Sequence, residues 1–216
     1  VNHMNPASFS AQDTLSFILD FGVNGEIREL SSQYEEVNLR DFNMGHIAIG
    51  FPVTRWLGAS MGILPYSRIG YNMLLEGSLS STEDLYRVYY EGNGNLNKFY
   101  IGTSVRLGNH LAIGTNLSYI FGSYQRNKRV SLPRNASAET MYINRTTVGD
   151  LMFNFGIQGF KKLKKGSELT VGLILDNNTK LNGEFTSLLI NNYFLHIDTI
   201  ERIENQKGEI SIPMRF

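Results

Sequence analysis

The sequence contains no cysteine among its 216 residues, which excludes disulfides, thiolate metal sites and cysteine nucleophiles. Neither sign of charge dominates, because 20 basic residues balance 20 acidic ones, so we expect no nucleic-acid partner. Long apolar runs are missing as well: residues 107–124 carry no Asp, Glu, Lys or Arg but are rich in Gly, Asn, Ser and Thr. A helix that crosses a bilayer needs about 20 mostly apolar residues, and this stretch does not qualify.

Large apolar residues instead recur at every second position. Phe153, Phe155 and Ile157, for example, alternate with Asn154 and Gly156. A period of two predicts strands, whereas an amphipathic helix has a period near 3.6. We therefore predict an all-β chain of about eight strands and no helix. The strand segments are 14–23, 45–53, 57–73, 99–107, 111–121, 150–158, 169–176 and 210–216.

The predicted connections fall into two groups of different length. Short, turn-like connections cover residues 52–56, 108–110 and 161–167, and long polar ones cover 24–38, 75–95, 125–147 and 177–208. Short turns at one rim and long loops at the other are typical of an up-and-down antiparallel β-barrel.

Two kinds of barrel fit this alternation. A soluble barrel or sandwich packs its apolar face inside, whereas a transmembrane barrel turns that face to lipid and has a polar lumen. The polar face here consists mainly of Gly, Ala, Ser, Asn and Thr, while Lys and Glu collect in the long connections. Because small residues suit a crowded lumen, we favour a transmembrane β-barrel in the bacterial outer membrane, with a soluble barrel as the alternative.

Several short motifs resemble those of outer-membrane transporters. They are Asn5-Pro6-Ala7, Phe51–Trp56, Leu64–Tyr71, Glu91–Lys98 and Ser118–Ser123. Together they resemble a Bacteroidetes lineage similar to the FadL/OmpP1/TodX family of hydrophobic-compound transporters. The resemblance implies a barrel of about 14 strands. It also implies an N-terminal plug in the lumen and lateral release of the substrate at a kink in the third strand.

On this resemblance, residues 1–12 are the tail of the plug and residues 13–216 form an incomplete barrel. The chain then corresponds to roughly the first half of a family member, with residues missing at both ends. A complete eight-stranded barrel is the alternative. We prefer the incomplete barrel, because Ile210–Phe216 is shorter than the about 9–11 residues that a tilted transmembrane strand needs.

Pro65, Tyr66 and Arg68 are the candidate residues of a lateral gate. Proline cannot donate to a β-ladder, so inside a strand it marks a bulge or an unpaired edge. In one interpretation Pro65 opens a gap in the wall, with Tyr66 and Arg68 turned inward beside it. In the other, Pro65 only ends the membrane-spanning part of the strand.

The other candidates are polar. Asn5, Pro6 and Ala7 would form the last turn of a plug, in which Asn5 bonds its own backbone and Pro6 fixes φ. An ordered entry into the first strand is the alternative. Polar lumen residues could bind a ligand, but such groups more often pair with one another or with a plug, because unpaired buried charge is costly. These lumen candidates are Asp20, His46, Arg106, Asn116, Asp150 and Asp176.

Two functions are consistent with the sequence. The first is passive uptake of small hydrophobic compounds, with membrane lipid around the barrel and a hydrophobic ligand or detergent inside it. The second is a non-transporting structural or docking barrel with outer-membrane protein partners. We expect no cofactor, no metal and no enzymatic activity. The string Gly58–Gly62 matches a hydrolase elbow without the required helix, and the four histidines lack metal-ligand spacing.

Overall fold

The computed structural model describes residues 2–13, 16–31, 36–78, 85–131, 138–163, 167–176, 180–193 and 196–211. Within these ranges one short 3₁₀ helix, Pro6–Ala11, precedes nine strands. They are β1 (Ile18–Ser31), β2 (Glu36–Pro52), β3 (Leu57–Ser78), β4 (Leu85–Leu107), β5 (Leu111–Ser131), β6 (Ala138–Lys162), β7 (Glu168–Asp176), β8 (Lys180–Tyr193) and β9 (His196–Ser211). No helix in the described ranges has both the length and the apolar character to span a membrane.

The nine described strands form one antiparallel sheet. Its order is β1-β2-β3-β4-β5-β6-β8-β9, and β7 also pairs with β6. Besides β5, β6 has two partners in succession, because residues 154–162 pair with β7 and residues 138–148 pair with β8. The prediction of an all-β antiparallel chain is confirmed. The number of strands is nine rather than about eight, since β8 and β9 fall where a long loop is predicted.

Most of each predicted long loop is strand, and this corrects the prediction. β1 and β2 remain paired from Ile18↔Gly50 to Ser31↔Glu36, and β4 already begins at Leu85. In these stretches both faces of the sheet carry polar or aromatic side chains; Arg87 and Glu91, for example, alternate with tyrosines. The hydrophobic period disappears there, but the backbone ladder remains. The last predicted strand covers residues 210–216. Residues 210 and 211 belong to β9, and residues 212–216 lie outside the described ranges.

The predicted short connections are confirmed, and the first illustrates their chemistry. Thr54 Oγ1 accepts hydrogen bonds from the backbone N–H groups of Trp56 at 3.3 Å and Leu57 at 3.1 Å, which holds the turn between β2 and β3. Gly108, between β4 and β5, has a φ of 65°, a left-handed conformation that glycine adopts at no steric cost. The connection from β6 to β7 is closed by Leu163 N–H donating to the Ser167 carbonyl at 2.8 Å.

The described residues group into two compact units, the first drawn from Val1–Pro65, Lys98–Tyr119 and Leu151–Asn178. One face of its sheet, the glycine face, is small and polar: Gly58, Ser60, Gly102, Ser104, Gly114, Asn116, Ser118, Asn154 and Gly156. The other, the aliphatic face, carries large exposed side chains: Leu19, Phe21, Ile101, Ile113, Leu151, Phe153, Phe155, Ile157, Val171 and Leu173. An apolar surface of this extent is unfavourable in water and suits acyl chains. The predicted separation into a small polar face and an exposed apolar face is confirmed, and contact of the apolar face with lipid stays a prediction.

The second unit is drawn from Tyr66–Asn97, Ile120–Asp150 and Thr179–Phe216. Its strands are joined across the sheet by ion pairs, such as Arg87 Nε to Glu76 Oε1 at 2.7 Å. Lys180 Nζ likewise lies 2.6 Å from Glu209 Oε2. Exposed ion pairs contribute little stability, about 0–1 kcal/mol each, so the backbone ladder carries most of the order in this unit.

Candidate functional site: the N-terminal segment on the glycine face

The short helix at the N-terminus is held together by its own side chains. Asn5 Oδ1 accepts a hydrogen bond from Ala7 N–H at 3.0 Å, and so caps the helix. Pro6 occupies the start of the helix, where its missing N–H costs nothing and its fixed φ is suitable. The Ser8 hydroxyl donates to the Asn5 carbonyl at 2.8 Å. Asn5 also reaches the sheet, because its Nδ2 donates to the Ile157 carbonyl at 3.5 Å.

This segment lies directly on the glycine face of the first unit. A Cβ atom added at Gly58 would overlap the Phe9 carbonyl group. One added at Gly114 would lie 2.5 Å from the carbonyl atoms of Pro6, and one at Gly102 would lie 2.7 Å from the Phe9 ring. The residues of this face are small because the N-terminal backbone approaches the sheet more closely than any side chain would allow.

Two hydrogen bonds fix the register of the segment against the sheet. Ser10 N–H donates to Ser104 Oγ of β4 at 2.5 Å, and both residues are buried. Asn116 of β5, only 1% exposed, donates from Nδ2 to the His3 carbonyl at 3.4 Å. A buried backbone N–H without a partner costs about 1–3 kcal/mol, so Ser104 removes a penalty that the seated segment would otherwise carry.

Phe9 is the apolar anchor of the segment. Its side chain is completely buried and packs with Ala48 and Tyr100, with Leu64 against the edge of this cluster. The Phe9 and Tyr100 rings are stacked with centroids 6.4 Å apart. The hydroxyl of Tyr100 lies 3.0 Å from Ser60 Oγ, which satisfies both groups in a buried position.

A small cluster of ionisable groups surrounds His3. Its ring lies 5.7 Å from that of His46, whose Nε2 is 3.1 Å from Asp20 Oδ1 on β1. The ring of Tyr100 lies 6.4 Å from His3 on another side. Burial lowers the pKa of His3 below its ordinary value of 6.5, and repulsion from Lys98 and His46 adds to the effect. The seated position of the segment therefore disfavours protonation of His3.

Two further lumen candidates of the first unit have side-chain contacts. The Arg106 guanidinium lies over the Phe160 ring at 5.1 Å from its centroid, a cation–π geometry. Asp176 of β7 accepts a short hydrogen bond from Asn154 Nδ2 of β6. The first contact links β4 to β6 across the intervening β5, and the second links the paired strands β6 and β7.

The last lumen candidate belongs to the second unit. Asp150 Oδ2 accepts two hydrogen bonds from Asn182, one from its backbone N–H at 2.8 Å and one from Nδ2 at 3.1 Å. Asp150 thus connects β6 to β8. Of the six predicted residues, the structure brings only Asp20, His46 and Asn116 beside the N-terminal segment.

The predicted gate residues lie where one ladder ends. β2 pairs with β3 from Pro52↔Gly58 to Ile47↔Ile63, and Pro65 follows two residues later. β3 nevertheless continues through Pro65 to its end at Ser78. Pro65 and Arg68 are exposed and Tyr66 is half-buried, and the contacts of the N-terminal segment described above are made by other residues.

The sequence patterns did not predict Phe9, Tyr100 and Ser104 as site residues. These three contribute most of the contact between the N-terminal segment and the sheet. The sequence does contain a signal for Tyr100. On β4 it shares a face with Lys98, Gly102 and Ser104, and it is the bulky aromatic residue on a face of small side chains. A large residue among small ones indicates a contact that crosses the sheet. Phe9 carries a similar signal, as an isolated aromatic residue in a segment of small polar residues.

The two faces of the first unit and the position of the N-terminal segment define the class of protein to which the chain belongs. The chain is an outer-membrane β-sheet protein whose polar face is covered by its own N-terminal residues. The BamG family model matches residues 1–216, and the chain belongs to the BamG family, an outer-membrane component associated with the Bam complex. No curated protein and no solved structure matches it.

The family match corrects the resemblance to FadL/OmpP1/TodX transporters, which is wrong. One motif behind that resemblance, Asn5-Pro6-Ala7, has a physical origin that does not specify a cargo. It forms a capped turn, and Gly114 and Gly156 of the sheet make room for it. Any outer-membrane barrel that encloses its own N-terminus needs residues of this kind, whether or not it transports anything.

Proposed function

We propose that this chain is a non-transporting structural subunit that docks with partner proteins in an outer-membrane-protein assembly complex. The observation that carries the proposal is the occupation of the glycine face by Pro6–Ser10. With the segment in this position, a cargo could pass the glycine face only if the segment moved, whereas a docking subunit needs no such movement. Membership of the BamG family supports the same role.

The segment is bound firmly enough to be a resident part of the protein. Complete burial of a Phe side chain stabilises by about 1.5–3 kcal/mol, and Phe9 is fully buried. The hydrogen bond from Ser10 to Ser104 adds about 0.5–1.5 kcal/mol. A passing ligand would have to displace these contacts and leave Ser104 and Asn116 without them.

The length of the strands supports docking outside the lipid. β3, β4 and β6 contain 22, 23 and 25 residues. A tilted strand crosses the hydrocarbon with about 9–11 residues, so more than half of each strand projects beyond it. These polar extensions are available to partner proteins.

The docking role is tested by purification from outer membranes at native expression. We expect the tagged chain to co-purify with Bam-complex subunits at a fixed stoichiometry that persists through size-exclusion chromatography. Depletion of the chain should lower the amounts of assembled outer-membrane barrels. Isolation of the chain alone, together with normal assembly after depletion, would refute the proposal.

Flux measurements separate docking from transport. Vesicles that contain the purified protein should take up a fluorescent fatty acid no faster than protein-free vesicles. A variant that lacks residues 2–12 is the matched control, because its glycine face is uncovered. Rapid uptake by the unmodified protein would favour the transport function instead.

A further inference from the structure

A recess of about 500 Å³ opens on the second unit. Side chains of four successive strands, β3 to β6, line it: Asn72, Leu74, Tyr89, Glu91, Asn127, Arg129 and Met141. We call it the Tyr89 recess. Its volume is within the range of about 300–1,000 Å³ that is common for small-molecule sites.

The charges in the Tyr89 recess are balanced. The Arg129 guanidinium lies over the Tyr89 ring, 4.5 Å from its centroid. Arg129 Nε also lies 3.4 Å from Glu139 Oε1, and Glu91 adds a second carboxylate to the lining. Because the one lining cation is accompanied by two carboxylates, the recess does not suit a phosphate or sulfate group.

The amides in the recess are held in position by a hydrogen-bond chain. Arg145 Nη2 donates to Gln125 Oε1 at 3.2 Å, and Gln125 Nε2 donates to Asn127 Oδ1 at 2.9 Å. The carbonyl oxygen of Asn127 is thereby engaged, which leaves Nδ2 as the polar atom that this side chain can offer a ligand. Asn72 supplies both an acceptor and a donor, and Glu91 supplies an acceptor.

Apolar surface lies between these polar groups. Leu74 is 53% exposed, and Met141 and the Tyr89 ring complete the apolar part of the lining. An acyl chain would leave the amides and Glu91 unpaired, which is costly. The ligand that suits the recess is neutral, carries several hydroxyl groups and has C–H faces that pack on an aromatic ring. Sugars have this combination.

We propose that the Tyr89 recess binds a neutral sugar unit of a cell-surface polysaccharide. Short turns of outer-membrane barrels face the periplasm and long strand extensions face outward. Asn72 and Leu74 lie far along β3 from its short turn at residues 53–56, which places them toward the cell surface. The sugar could belong to a lipopolysaccharide chain or to a free polysaccharide, and the experiment separates these sources.

The test measures binding to the full-length protein in detergent by saturation-transfer NMR and titration calorimetry. Three probes are used: a panel of neutral hexose oligosaccharides, the polysaccharide released from lipopolysaccharide by mild acid, and lipid A alone. We expect the first, the second or both to bind, and lipid A not to bind. Binding of the released polysaccharide alone identifies lipopolysaccharide as the source, whereas binding of the panel alone identifies a free polysaccharide.

The variants compare two neighbouring tyrosines. Tyr89→Ala and Asn127→Ala should each weaken sugar binding by about tenfold or more. Tyr89→Phe keeps the ring and should bind nearly as well as the unmodified protein. Tyr90→Ala is the matched control, because Tyr90 stacks with Lys128 at 5.8 Å and is not part of the recess lining.

Three results would overturn the proposal. The first is binding of lipid A in preference to sugars, and the second is an equal loss of affinity in the Tyr89→Ala and Tyr90→Ala variants. The third is no binding of any sugar probe at millimolar concentration by a protein with the circular-dichroism spectrum of folded strands. The same spectrum, recorded for each variant, distinguishes loss of the site from loss of the fold.

Discussion

At the scale of single residues, the glycine face shows why particular positions of the sheet are occupied by glycine. Gly114 and Gly58 are not needed for an unusual backbone conformation, since only Gly94, Gly108 and Gly122 have a positive φ among the described residues. They are needed because the Pro6 and Phe9 carbonyl groups lie against them. The missing Cβ atom is therefore part of the contact between the segment and the sheet.

The Cβ contact predicts the effect of alanine. Gly114→Ala should unseat the N-terminal segment, because overpacking typically costs about 1–3 kcal/mol. Gly70→Ala is the control, since nothing lies within 4 Å of the added atom. A Ser10→Cys background provides the readout, as the chain has no other thiol. We expect faster maleimide labelling for Gly114→Ala only; equal labelling of both variants would contradict the prediction.

His3 predicts a pH dependence of seating. Since burial lowers the pKa of His3 from 6.5, the seated segment favours the neutral imidazole. Its contribution is complete above pH 6.5 and is lost as the pH falls from 6.5 through the lowered pKa. Labelling of Ser10→Cys, normalised to the exposed position in Ala11→Cys, should therefore increase on acidification. In a His3→Gln background the increase should be absent or much smaller, and an unchanged increase would assign it to other groups.

At the scale of elements, the short helix depends on its cap rather than on its length. Six residues are too few for an isolated helix, so Asn5 and the sheet must hold it. The Asn5 side chain has two separate tasks: Oδ1 caps Ala7, and Nδ2 donates to the Ile157 carbonyl. Substitution at this position can therefore distinguish the cap from the sheet contact.

Asn5→Ala removes both contacts and should weaken seating by about 1 kcal/mol or more, which is about fivefold in the labelling rate of Ser10→Cys. Asn5→Asp keeps the capping oxygen and loses only the donor to Ile157. We expect its labelling rate to lie between those of Asn5→Ala and the unmodified residue. Labelling as fast as in Asn5→Ala would show that the bond to the sheet, and not the cap, dominates.

Elements differ in how far their sequences predict them. β6 is predictable where Phe153, Phe155 and Ile157 alternate with small residues, because one face is apolar and exposed and the other meets the N-terminal segment. β8 and β9 are not, since Asn182 and Glu184 alternate with residues that are not uniformly apolar. A strand without a regular hydrophobic period can still form its backbone ladder, but the period cannot predict it.

At the scale of the whole molecule, the aliphatic face predicts where charge is tolerated. Leu173 of β7 is 57% exposed and Leu85 at the start of β4 is 55% exposed, so the two have equal access to their surroundings. Arginine on a lipid-facing strand costs about 2–4 kcal/mol near the bilayer midplane and little near the interface. Leu173→Arg should therefore destabilise the protein by about that amount in urea refolding into bilayers, and Leu85→Arg by much less. Equal effects would contradict the placement of the aliphatic face in lipid.

The candidate site is predictable in part. Asn5-Pro6-Ala7 indicates a capped turn, and Gly58, Gly114 and their neighbours indicate a face that something approaches closely. These two features meet through contacts between residues that are 94 to 152 positions apart in the sequence. No local sequence pattern encodes such contacts. The resemblance to a transporter family was wrong for the same reason: short motifs report local geometry, and function depends on what the assembled face contacts.

The separations along the chain have a consequence for biogenesis. Residues 3–10 precede every strand, yet they bond to Ser104, Asn116 and Ile157, at distances of 94, 113 and 152 residues. Loop-closure entropy grows only slowly with length, so the order of these bonds follows the order in which β4, β5 and β6 become available. The earliest part of the described chain thus completes its hydrogen bonds only after β6 has formed. Until β4 has joined the sheet, Phe9 lacks its contact with Tyr100 and stays within reach of whatever chaperone escorts the nascent polypeptide.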